Sequence, residues 1–289
     1  MITIMDKQLL IIKCGGAYLT KKSTIHTLNN DNLTYLVSII HTLLNKKVNN
    51  GQLQQYNIIL IIGAGSFGHF EAKEYKITSG YNDEEYRSAE GMVKTRHSVL
   101  RLLMAVTQAC LERGIKAMPV SPFDSWLTDN NQVIQHNASM ITTMLGMGLM
   151  PILHGDVCLD KTKGCTILSG DIIIQELCRH NGPSRAIFIT DVDGVFDRTP
   201  SEHGAKLIPL INLSTGSSSN QHDQVSTSST LEHDVTGGMK AKLQSAFNIA
   251  HMGIDVVIIG GNDTDILNYL EQGSGQETHS RGTIITNKE

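Results

Sequence analysis

The sequence predicts an α/β protein built on an open, mainly parallel sheet sandwiched between helices in three layers. Three observations carry that prediction. Short apolar runs rich in Ile, Leu and Val recur along the chain, as strands covered on both faces do. Segments of helical spacing lie between them. A glycine-rich or acidic turn follows nearly every run, the place where ligands collect in such sheets.

The strands read as Gln8–Ile12, Asn57–Ile62, Met150–Leu153, Ala186–Thr190 and Asp255–Ile259. Helical spacing runs over Leu33–Asn45, Glu84–Arg113, Asp171–His180 and Met239–Met252. In the second of these, Tyr86, Ala89, Val93, Leu103, Val106 and Cys110 fall on repeating faces. Leu213–Thr230 is serine-rich and almost free of apolar residues, so a flexible, dispensable surface insertion is expected there. No internal repeat is visible.

Composition narrows the function. At 289 residues with 40% apolar content, one large core is within reach. The formal charge is 24 − 28 = −4, which argues against a nucleic-acid binder working through a basic face. The five cysteines show no Cys-x-x-Cys spacing, so no zinc site of that kind is expected, and free thiols in a reducing compartment are. Leu9–Ile12 is far too short to span a membrane and the first residues lack a secretory pattern, so the expected location is cytoplasmic.

The turns carry the chemistry. Lys13-Cys14-Gly15-Gly16-Ala17 ends the first strand, where glycines let backbone N–H groups approach an anion and Lys13 adds charge. Lys22 lies nine residues on, within reach of the same anion. Gly63-Ala64-Gly65-Ser66-Phe67-Gly68-His69 ends the second strand and fits Gly-x-Gly-x-x-Gly. A nicotinamide site also needs a strand ending in an acidic residue about 20 residues later. Glu71–Tyr86 is polar and holds no strand, which leaves an anion loop with His69 placed to donate to a phosphate oxygen. His154-Gly155-Asp156, Ser169-Gly170-Asp171 and Thr190-Asp191-Val192-Asp193-Gly194-Val195-Phe196 follow later runs. Thr236-Gly237-Gly238-Met239-Lys240-Ala241-Lys242 opens the late helix, with Lys242 one turn in. No Walker A loop and no protein-kinase set is present.

From Lys13 to about Thr286 these blocks, in this order, resemble the amino-acid kinase superfamily and, within it, the isopentenyl phosphate kinase branch, which the histidine of Ser66-Phe67-Gly68-His69 marks. The resemblance implies the amino-acid kinase fold and an ATP phosphotransferase carrying magnesium with its ATP and no metal site of its own. Lys13, Cys14, Gly15, Gly16, Ala17 and Gly65 are implied at the ATP phosphates, and Lys22 at the transferring group. Ala64, His69 and Gly155 are implied at the acceptor phosphate, Asp171 as organiser of the lysines, and Asp191, Phe196, Gly238 and Lys242 on the nucleotide side. Ala17 stands where a serine is common, Ala64 where a glycine is, and Phe196 where a tyrosine is frequent.

The resemblance also implies a homodimer, formed through the long helix of the first half. It implies one domain over residues 1–289, with an acceptor lobe to about 185 and a nucleotide lobe from about 186. Isopentenyl phosphate, a small-molecule substrate, is the leading acceptor. A phosphonate such as fosfomycin presents the same kind of oxyanion and remains open, as does a nucleotide-binding regulator without turnover. An isoprenoid tail needs an apolar pocket, and Tyr86, Met92 and Val93 are candidates for it, or for core.

Overall fold

The five apolar runs become the centre of one sheet. In the computed structural model, which describes residues 7–46, 56–198, 200–214, 238–261, 266–267 and 281–288, they are β1 (Gln8–Cys14), β2 (Tyr56–Ile62), β6 (Met150–His154), β9 (Arg185–Thr190) and β11 (Asp255–Gly260). They stand side by side in the order β11-β9-β1-β2-β6, every pair parallel. Short strands that the hydrophobic pattern did not reveal finish the edges: β3 (Ala117–Pro119), β10 (Leu210–Asn212) and β12 (Thr283–Thr286). Of these, β12 runs antiparallel to β11.

Alternation along β1 explains the three layers. Leu10, Ile12 and Cys14 enter one core with Leu36, Ile40 and Leu43 of α2 (Asn30–Leu44) and Leu102, Val106 and Cys110 of α5 (Ser88–Glu112). Ile11 enters the other, with Ile173, Ile174 and Leu177 of α7 (Gly170–Asn181) and Leu243 and Phe247 of α8 (Gly238–Ala250). Both strand faces are apolar because both are covered, and each fully buried Ile or Leu contributes about 1.5–3 kcal/mol.

The remaining helices are α1 (Gly16–Leu19), α3 (His69–Glu74), α4 (Asp83–Tyr86) and α6 (Ala138–Gly146). The single helix expected over Glu84–Arg113 is two. Arg87 adopts a left-handed conformation (φ 52°) between α4 and α5, which no side-chain periodicity reports.

A second sheet, β5-β4-β7-β8, was also unforeseen: β4 (Leu127–Asp129), β5 (Gln132–Gln135), β7 (Asp156–Asp160) and β8 (Gly164–Leu168). Its strands are short and partly exposed, so their sequence lacks a long apolar run. Asp160 ties it together. It accepts from the backbone of Asn130, Asn131, Thr162 and Lys163 at 2.8–3.0 Å and from Thr128 Oγ1 at 2.8 Å. Gly155 is the step from β6 of the large sheet to β7 of the small one. The serine-rich insertion from 215 onward, and Thr236 and Gly237 before α8, lie outside the described residues.

Candidate active site

From β1 the chain leaves to β2 on one side and later returns through β9 on the other, so the carboxyl end of β1 is a topological switch point. The turns after these strands meet there. Each begins by extending the ladder: Gly15 N donates to Ile189 O and Gly63 N to Cys14 O, both at 2.8 Å, and Gly155 N to Ile62 O at 3.1 Å. The two glycine turns then touch backbone to backbone. A Cβ on Gly16 would stand 2.3 Å from Gly65 N, and one on Gly63 2.4 Å from Gly16 N. Gly65 has φ +50°. Only glycine permits that contact.

Thr20 stitches the turns together. Its hydroxyl donates to Gly16 O at 2.8 Å and accepts from Ser66 N at 2.9 Å. Gly15, Gly63 and Gly155 already donate within the sheet, and Gly16 and Ala17, which line the cleft, stand in the first turn of α1. A helix's first N–H groups have no earlier turn to bond.

Three lysines converge on this cleft of about 880 Å³. Lys13 sits on the α7 side of β1, two residues after Ile11, and its Nζ lies 3.0 Å from Asp171 Oδ1, both side chains under a tenth exposed. Ser169 caps α7 by accepting from Ile172 N, which fixes Asp171 in the first turn. Gly170 leaves room for the Lys13 stem, since a Cβ there would be 3.4 Å from Lys13 Cε. Lys22 Nζ reaches Asp191 Oδ2 at 2.7 Å from across the cleft. Lys242 Nζ donates to Thr190 Oγ1 at 3.2 Å, at the end of β9. Partial burial pushes the Asp191 carboxyl up, but the Lys22 ammonium, with Lys242 behind it, holds it below its ordinary range. The cleft thus gathers three lysines, with Asp171 and Asp191 engaged by Lys13 and Lys22.

The other end of the cleft is lined by His69, Phe70, Ala72, Thr95, Val99 and Ile167. Beneath it, Arg96 Nη1 donates to Asp156 Oδ2 and to Ser121 Oγ at 2.8 Å, and Arg96 Nη2 pairs with Asp124 at 3.0 Å. Arg96 therefore fastens α5, one wall, to the turn after β6, the floor. Burial pushes Asp156 up to about 7 against the pull of Arg96. Burial also pushes His154 down to about 4; its Nδ1 meets Gly155 O at 3.0 Å and its Nε2 is buried with no hydrogen-bond partner.

Of the residues expected from sequence, Lys13, Gly15, Gly16, Ala17, Lys22, Ala64, Gly65, His69, Gly155, Asp171, Asp191, Phe196 and Lys242 line this one cleft. Gly238 opens α8, one turn before Lys242. Cys14 does not line it. Its side chain is fully buried in the core on the opposite face from Lys13, and burial raises its thiol pKa strongly. Gly155 contributes space rather than an N–H, which Ile62 already accepts. The apolar candidates fall elsewhere. Val93 is 68% exposed, Met92 packs on a small cluster around Tyr75 and Ile77, and Tyr86 lies under Lys76 Nζ at 4.5 Å. Thr95 and Val99, a turn further along the same helix, take their place. Val93 points to solvent and Tyr86 lies on α4, so helical spacing alone did not give the face of α5 that meets the cleft. Thr20 and Arg96 were missed altogether, because neither belongs to a motif and each acts through contacts distant in sequence.

A parallel sheet with phosphate-sized glycine turns and converging lysines at its switch point is the architecture of a small-molecule phosphotransferase. The chain belongs to the amino acid kinase family, whose model matches residues 8–260. It is 32% identical to isopentenyl phosphate kinase of Methanothermobacter thermautotrophicus over 97% of this chain and 100% of that one. It is 30% identical to isopentenyl phosphate kinase of Arabidopsis thaliana over 86% of each chain. A crystal structure of isopentenyl phosphate kinase superposes with a TM-score of 0.77 at 28% identity, covering 96% of this chain and all of the other.

Proposed function

We infer that this chain transfers the γ-phosphoryl group of ATP to isopentenyl phosphate, forming isopentenyl diphosphate and ADP. The observation that carries the reading is the convergence of Lys13, Lys22 and Lys242 on one cleft with the glycine turn that ends in His69. The similarity to isopentenyl phosphate kinases along nearly the whole chain supports the choice of acceptor.

The chemistry needs cations more than it needs a base. Phosphate monoesters of this kind have a second pKa of about 6, so the acceptor arrives largely as a dianion. One of its oxygens attacks the γ-phosphorus in line, the bond to the bridging oxygen breaks, and ADP leaves with that electron pair. Asp171 and Asp191 each face a lysine, consistent with a site that removes no proton. Lys13 and the N–H groups of Gly16 and Ala17 hold ATP phosphates, with Gly65, Asp191, Phe196, Gly238 and Lys242 on the nucleotide side. Lys22 meets the group in transfer. Ala64, His69 and Gly155 receive the acceptor phosphate, its tail running toward Thr95, Val99 and Ile167. Asp171 orients Lys13.

Magnesium fits as an ion carried by the nucleotide. Among the described residues no group of three or more His, Cys, Asp or Glu side chains could hold a metal. Magnesium commonly binds through substrate phosphates with few protein ligands, and when bound it neutralises phosphate charge. Residues up to about 185 form the acceptor lobe and the rest the nucleotide lobe. The enzyme works as a cytoplasmic homodimer joined through α5, whose Val93, Met104 and Leu111 expose apolar surface. Among the described residues no helix is long and apolar enough to cross a membrane.

Purified protein with magnesium and ATP is expected to convert isopentenyl phosphate to the diphosphate, followed by ADP release and mass spectrometry. Turnover of fosfomycin, glutamate or uridylate in place of isopentenyl phosphate would reassign the acceptor. ATP binding without turnover of any acceptor would make the chain a regulator.

A further inference from the structure

We propose that His26 and Glu71 are positioning residues: together they latch the loop of residues 21–27 onto the second glycine turn and so place Lys22 for the chemical step. The proposal rests on the kinase reading above. The loop begins at Thr20 and closes at Leu28, where the two residues pair across an antiparallel bridge. Lys21 N donates to Thr27 O at 2.9 Å and Thr24 N to Lys21 O at 3.3 Å. One end is fixed by Thr20, already bonded to both glycine turns.

The far side is fixed by His26. Its backbone N donates to Ser66 O at 3.2 Å, its φ is +52°, and its ring lies 5.5 Å from the Phe67 ring. Its Nε2 makes a short hydrogen bond to Glu71 Oε1. Glu71, in the first turn of α3, is 7% exposed, and its Oε2 is buried with no hydrogen-bond partner. A buried, half-satisfied carboxylate is costly, and its place in the first turn of α3, which favours negative charge, offsets only part of that cost. What the carboxylate does is grip His26. The left-handed backbone at His26 tells the same story, since a non-glycine residue holds that conformation where its surroundings fix it.

Lys22 lies four residues before His26, with its ammonium reaching across the cleft to Asp191. Without the latch the loop keeps only its backbone ties, His26 N to Ser66 O, Thr27 N to Ser66 Oγ at 3.4 Å and the Thr20–Leu28 bridge, and Lys22 samples positions away from the transferring group. Misplacement by about 1 Å can cost about 100-fold in rate. Neither His26 nor Glu71 lines the cleft, so the latch governs kcat rather than substrate affinity.

The double variant His26→Ala/Glu71→Leu removes the latch without leaving a buried charge and is the principal test; His26→Gln keeps a neutral donor toward Glu71. In the folded double variant, kcat is expected to fall by about 10- to 100-fold with the KM for ATP within about twofold of wild type. His26→Gln should recover part of kcat. Limited trypsinolysis of the unliganded full chain reads the loop directly, because Lys21 and Lys22 are exposed cleavage sites within it. Cleavage there should accelerate in the double variant and not in His26→Gln. Unchanged cleavage, or kcat within twofold of wild type, would overturn the latch. The proteolysis needs no acceptor: a mistaken acceptor appears as wild type inactive on isopentenyl phosphate with the tryptic difference intact.

Discussion

Lys13, Lys22 and Lys242 carry the same charge into one cleft, but their anchoring differs. Lys13 is buried against Asp171 and part of the sheet. Lys242 rests on Thr190 from a helix. Lys22 is half exposed, on a loop, and bound to an Asp191 that is itself open to solvent. A flexible stem rooted on a held loop lets an ammonium follow a phosphoryl group in flight, and a fixed lysine suits a bound nucleotide. Lys22→Ala should therefore lower kcat by about 100-fold with little change in the KM for ATP. Lys242→Ala should raise that KM about tenfold, the worth of one charge-assisted hydrogen bond. Lys13→Ala leaves Asp171 as a buried unpaired carboxylate and should lower the melting temperature as well. Steady-state kinetics of the folded variants decide this: Lys22→Ala with wild-type kcat would remove it from the transition state.

At the scale of elements, the site depends on two turns brought closer than side chains allow. Gly63→Ala places a Cβ 2.4 Å from the backbone N of Gly16, an atom that cannot swing away. Both turns must separate, and the strand ladder between β1 and β2 ends there. This variant should lose measurable ATP binding and melt several degrees lower. Gly155→Ala is the control. Its Cβ would meet Gly170 N and Leu168 O at 3.5 Å, ordinary contact, while filling space at the acceptor end. It should melt within about a degree or two of wild type, a surface-like cost, yet raise the KM for the acceptor selectively. Calorimetry with isothermal titration separates the two, and equal effects from both would contradict the packing argument.

For the whole molecule, the buried cluster beneath the His69 end of the cleft links stability to pH. His154 has an ordinary value of 6.5 and is pushed by burial to about 4 when folded. Its favourable neutral state is fully available above pH 6.5, and the associated stability is lost as pH falls from there toward 4, where only the unfolded chain takes up the proton. Asp156, pushed up to about 7, has the opposite sign: it binds its proton more tightly when folded, so stability falls as pH rises from about 4 through 7. The two slopes oppose each other in wild type. Denaturant melts at several pH values should show His154→Gln gaining on wild type as pH drops from 6.5 to 4, by up to about 3 kcal/mol. A pH-independent difference between the two proteins would place the His154 proton elsewhere.

The sequence by itself determined the class of fold and the glycines and lysines of the cleft. β1, β2, β6, β9 and β11 are buried on both faces, so each had to be written as a continuous apolar run, and a parallel order puts the following turns at one edge. The glycines of those turns are equally legible, because a Cβ at Gly16 or Gly63 would fall 2.3–2.4 Å from a backbone nitrogen. What escaped is short, edge-placed or long-range. β3, β10 and β12 have three or four residues each, too few to show a period. The break at Arg87 is a single backbone angle inside a pattern that reads as one helix. Which side chains of α5 face the cleft depended on how far along the sheet the helix lies, so Thr95 and Val99 replaced Met92 and Val93. The pairing of Lys13 with Asp171, of Arg96 with Asp156 and of His26 with Glu71 joins residues 158, 60 and 45 positions apart. Local propensity and periodicity reach about one or two turns; such partners exist only once the sheet has closed the distance between them.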